Sequence, residues 1–149
     1  MSIVSTLLRV IIAFLVAVVA TTVLAVMTQS LFVMLGLLDV GAPFQIGAFI
    51  SMVGSDLIGL GPVYAIIIAI GFLIALVVAR LILLVLPDMR VVAYSLAGAV
   101  CMIVILIAIR ELLFGVQLIA GARTLPGLLS QVVAGGVGGY VFARLSAKP

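Results

Sequence analysis

The chain has 149 residues, room for one domain, and 68% of them are hydrophobic while only 7% are charged. Soluble globular domains are about half apolar and about a quarter charged, so a chain with mean hydropathy +1.67 has lipid as the solvent for most of its surface. The net charge of +3 rests on seven cations and four anions, too few and too scattered for a nucleic-acid surface.

There is no histidine, so histidine-based metal sites and acid–base chemistry are excluded. The single cysteine, Cys101, lies mid-span. It can form no intramolecular disulfide and reads as a small hydrophobe.

The first hydrophobic run, Val10 to Met27, follows Arg9 and gives a span over about 6–28. It is longer than a signal-peptide core and no A-x-A site follows it, so a retained span is expected. Residues 29–61 come next, with apolar segments Leu31–Leu38 and Phe44–Leu60 split by Asp39-Val40-Gly41-Ala42-Pro43. Both are shorter than the ~20 residues that cross a bilayer as a helix. They read as short interfacial or re-entrant helices, a cap on the extracytoplasmic side.

Residues 62–86 form the second span, with Pro62 in its first turn and Pro87-Asp88 as its stop. Gly71, Ala75 and Ala79 repeat every fourth residue and offer a small face to a neighbour. A very short turn leads into the third span, 91–114, so the two form an antiparallel hairpin.

The third span carries Arg110 and Glu111 near its end. Stepping back from Glu111 by threes and fours gives Ala108, Val104, Cys101 and Ala97, a stripe of mostly small residues. A carboxylate facing lipid costs ~2.5 kcal/mol or far more, so Glu111 is expected to face protein or water. The fourth span, 125–145, places Gly127, Gln131, Gly135, Gly138 and Phe142 on one face, and Gly135 and Gly139 make a G-x-x-x-G pair. Such glycines let two backbones approach closely, which in lipid is a main source of helix association. The expected partner surface is Ala97, Cys101 and Ala108 of the third span, with homo-oligomerisation through the same face as the alternative.

The expected fold is therefore an all-α integral membrane protein, an antiparallel bundle of four transmembrane helices in a single domain, 1–149. Arg9, Arg80, Arg90, Arg144 and Lys148 fall on one side and Arg110 and Arg123 on the other. The positive-inside rule then puts both termini in the cytoplasm, and a bacterial inner membrane is the expected location.

In that orientation Glu111, Arg110, Gln131, Asp56, Tyr64, Thr21 and Thr22 gather in the outer half. They read either as a polar pocket opening outward or as a structural cluster. In the second case Arg110 snorkels or pairs with Asp56, and Glu111 bonds Gln131.

No nucleophile has a base to activate it, and no ligand set or glycine-rich phosphate loop is present. No ionisable residue sits at mid-membrane, the usual mark of coupled transport. The function expected by elimination is a small non-catalytic membrane protein that binds lipid or serves as an accessory subunit, packing with itself or a larger membrane complex. A small oligomeric transporter or channel is the alternative, and a lipid-modifying enzyme using carboxylates a third. No cofactor is expected; membrane lipids are the expected partners, and nucleic acid is not.

Overall fold

In the computed structural model, which describes residues 3–112 and 124–147, five α-helices follow one another: α1, Ile3–Asp39; α2, Ile46–Gly59; α3, Gly61–Ile82; α4, Arg90–Leu112; and α5, Leu125–Leu145. A single 3-10 turn, Pro87–Met89, joins α3 to α4. Helices α1, α3, α4 and α5 are each long and apolar enough to cross a membrane. The fold is an all-α membrane bundle. The end of the third span beyond Leu112, Arg123 and Lys148 lie outside the described residues.

Two features differ from the sequence reading. Helix α1 has 37 residues and runs unbroken through Leu31–Leu38, where a chain break after about residue 28 was expected. The polar residues at that point do not interrupt the helix, and their hydroxyls find partners there. Thr28 donates to the Leu24 and Ala25 carbonyls at 2.9 and 3.1 Å, and Ser30 lies 3.1 Å from the Val26 carbonyl. At 1.5 Å per residue the helix is about 55 Å long.

The stop comes at Gly41, in the left-handed conformation with φ 87°. Its N–H donates to the Leu38 carbonyl and that of Ala42 to Leu37, a Schellman closure followed by Pro43. The second difference is that only one short helix, α2, separates α1 from α3, and it runs into α3 through the shared residue Leu60.

The long helices pack in the ring α1–α3–α4–α5, each against the next, and α2 lies on α1 and α3. Contacts along their length fix the directions. Arg9 Nη1 donates to the Ala147 carbonyl at 3.1 Å, so the start of α1 meets the end of α5. Arg90, at the start of α4, donates to the Ala143 carbonyl and, at 2.7 Å, to the Ser146 hydroxyl. Neighbours are therefore antiparallel, and both ends of the described chain lie at one end of the bundle. Arg90 thereby satisfies the Ala143 carbonyl in the last turn of α5, and Arg9 that of Ala147 just past its end, where cations are favoured. At its other end α5 is started by Thr124, whose hydroxyl accepts from the Gly127 N–H at 3.2 Å, with Pro126 in the first turn.

Candidate functional site

Three features bear on function: a glycine seam around α5, a buried polar cluster, and an open groove between α3 and α4. Helix α5 buries Gly127, Gln131, Ala134, Gly135, Gly138, Gly139, Phe142 and Ala143. Its glycines meet two different neighbours. A Cβ at Gly135 would fall on the Gly98 carbonyl of α4, one at Gly98 on the Gly135 carbonyl, and one at Gly139 on the Tyr94 carbonyl. On the adjacent face a Cβ at Gly138 would strike Thr21 Oγ1 of α1 and the Phe72 ring of α3. Nearer the termini the seam is closed by the edge-on pair Tyr94–Phe142, ring centroids 5.0 Å apart, with the Arg90 guanidinium 5.5 Å from the Tyr94 centroid.

The surface of α4 that meets α5 is thus Tyr94, Gly98 and Met102, rather than the expected Ala97, Cys101 and Ala108. Cys101 is turned toward α3, where its Sγ lies beside Gly71. Ala97 is half-buried, and Val104 and Ala108 are exposed. Glu111, on the same stripe, is also exposed, as is Arg110. Both side chains lie in the last turn of α4, and Glu111, expected to face protein or water, is not packed inside the bundle.

Gln131, fully buried, is the centre of the polar cluster. Its Nε2 donates to the Ala25 carbonyl at 2.8 Å and to Thr28 Oγ1 at 3.2 Å, and its Oε1 accepts from the Tyr64 hydroxyl at 3.1 Å. One amide therefore ties α5 to α1 and α3, and Glu111 does not bond it. Thr21 and Thr22 are buried beneath this layer, but their hydroxyls donate back to the Ala17 and Val18 carbonyls, both at 2.8 Å. Asp56 is held elsewhere: its Oδ2 accepts from the Ser30 hydroxyl at 2.7 Å, which fastens α2 to α1. The cluster is a set of satisfied bonds between helices, with no charged group at its centre.

Thr28 and Ser30, the two partners that sequence reasoning missed, sit in what was read as the start of a loop. The signal for them was present, since Thr21, Ala25 and Thr28 continue one helical face.

The third feature is a cavity of about 570 Å³ on the outer side of the α3–α4 hairpin. Small residues at four-residue spacing form its floor, Gly71, Ala75 and Ala79 on α3 with Ala93, Ala97 and Cys101 on α4. No charged side chain lines it. Among the described residues, no three His, Cys, Asp or Glu side chains gather where a metal ion could be held. No protein-family model, no curated protein and no solved structure matches the chain.

Proposed function

We propose that the protein is a small non-catalytic integral membrane protein that acts through its lipid-facing sides, binding lipid or serving as an accessory subunit to a larger membrane complex. The observation that carries this reading is where the space lies. The roomy cavity is apolar and opens sideways between α3 and α4, while the polar groups of the interior bond to one another across α1, α3 and α5. A solute pathway calls for the reverse, polar groups free to replace hydration along the bundle axis.

Arg9, Arg90 and Arg144 all belong to the end that carries both termini. By the positive-inside rule that end faces the cytoplasm, in our reading of a bacterial inner membrane. Native mass spectrometry from mild detergent, paired with flux measurements in proteoliposomes, tests the function. Retained lipid or partner subunits without solute or ion flux is the expected result. Flux that depends on the protein sinks the reading in favour of an oligomeric transporter or channel.

A further inference from the structure

Helix α2 is the most loosely held helix of the fold. It buries none of its residues, and its contact with the core is the half-buried Leu57. Among the described residues its only side-chain hydrogen bond to another helix is the 2.7 Å one from Ser30 to Asp56. Both of its connections can give. Residues 40–45 before it lie outside any helix, and extended chain of that length reaches up to ~20 Å. After it comes Gly59-Leu60-Gly61-Pro62, where Pro62 has no N–H to bond the Ile58 carbonyl, so a rung of the ladder between α2 and α3 is missing. Packing does not require the glycines there. A Cβ at Gly59 would meet nothing within 4 Å and one at Gly61 only the Asp56 carbonyl at 3.9 Å, and neither has a positive φ. On α5 glycine makes room for a neighbour; here it supplies backbone freedom, which in a fixed helix is only a cost.

What α2 covers is polar. It lies on α1 and α3, next to the layer of Thr28, Tyr64 and Gln131. Ser30, bonded to Asp56, is fully buried two residues beyond Thr28, and Tyr64 comes three residues after Gly61. Between Thr28 and Ser30 stands Gln29, 6% exposed, whose side-chain amide makes no hydrogen bond among the described residues. A buried amide without partners forfeits the bonds that water would give it. The closed arrangement therefore carries a penalty, and one side-chain hydrogen bond helps to hold α2 down against it.

We propose that α2 is a hinged lid over the mouth of the bundle away from the termini, latched to α1 through Ser30 and Asp56, and that it swings about Gly59–Pro62 to admit water to the Gln29 amide. The opening ends at the Gln131 layer, whose groups bond across α1, α3 and α5. It forms a vestibule and no path across the membrane, and it stands apart from whatever the sides of the bundle bind.

The test reads accessibility in the whole chain, in mild detergent. Gln29→Cys is treated with a charged, water-soluble methanethiosulfonate, and the site of modification is located by peptide mass. Adding Asp56→Ala, which removes the latch, should speed modification at position 29 by about tenfold, the worth of one such hydrogen bond. Adding Gly59→Ala/Gly61→Ala instead, which stiffens the hinge, should slow it by about threefold. Cys101, buried and turned toward α3, should react at one slow rate throughout. A rate at position 29 that ignores either change, or a Cys101 rate that rises with it, overturns the proposal.

Should Gln29→Cys not fold, hydrogen–deuterium exchange follows the same motion without it. The amides of α2 should exchange about tenfold faster in Asp56→Ala than in the wild type, with those of α5 unchanged. Equal exchange of α2 in the two proteins, or the same acceleration along α5, overturns it.

Discussion

Helix α4 presents small residues to both of its neighbours, yet one contact is closed and the other open. Toward α5, Gly98 and Gly135 lie opposite each other and Gly139 lies against the Tyr94 carbonyl, so backbone meets backbone. Toward α3, Gly71 is met by the ends of two side chains, Cys101 Sγ and Ile105 Cδ1, and the alanines on either side line the groove. Small residues alone do not close a contact in lipid. Closure comes where glycine faces glycine, because dispersion between atoms in direct contact is the main attraction available there.

That contrast is breakable. Gly135→Ala puts a methyl into the Gly98 carbonyl, so the helices must separate. We expect a loss at or above the top of the ~1–3 kcal/mol typical of overpacking, read as a large fall in melting temperature in detergent. Gly136→Ala, whose Cβ would meet the Ser95 carbonyl at an ordinary 3.7 Å, is its control and should stay within about 0.5 kcal/mol. Equal behaviour of the two would dissolve the distinction between seam and groove.

Next in size is Gln131→Leu, which leaves the Tyr64 hydroxyl without its acceptor in a buried layer, at ~1–3 kcal/mol. Tyr64→Phe in the same background should recover part of that loss, which a double-mutant cycle measures. A smaller effect, about 1 kcal/mol, is expected for Gly71→Ala, since Cys101 Sγ and Ile105 Cδ1 at 2.8 Å are side-chain ends that can swing aside. If Gly71→Ala cost as much as Gly135→Ala, the α3–α4 contact would be as tight as the seam. Smallest of all is Glu111→Gln, exposed at the end of α4, which should shift stability by less than about 0.5 kcal/mol.

The same contrast marks how far the sequence could be read. Four spans and an all-α bundle follow from hydropathy and length, because lipid forces every backbone group into a helix. On α5 one face can be picked out, since Gly127, Gln131, Gly135 and Gly138 stand out among larger residues and all four are buried.

On α4 no such choice exists. It is apolar almost all round, so the stripe running to Glu111 and the stripe through Tyr94, Gly98 and Met102 look equally suited to burial. The carboxylate tipped the choice toward the first, but its place in the last turn removed the penalty on which that choice rested. The end of α1 was obscured for a related reason. Thr28, Gln29 and Ser30 resemble a loop by composition, but inside the helix the Thr28 hydroxyl bonds the Leu24 carbonyl and the Ser30 hydroxyl bonds Asp56, partners that composition does not show.

Helix α1 also has a consequence for the bilayer around it. Even tilted by 40°, a rod of about 55 Å projects more than 40 Å along the membrane normal, against a hydrocarbon thickness of ~30 Å. Its last turns carry Leu31, Leu35 and Leu37, and the α2 helix beside them exposes Ile46, Ile50 and Ile58. Residues 28–61, which form that greasy collar, contain no lysine or arginine to anchor it in the headgroups. Acyl chains there would have to stretch or swell to wet it, so the protein should deform thin membranes and partition toward thick ones.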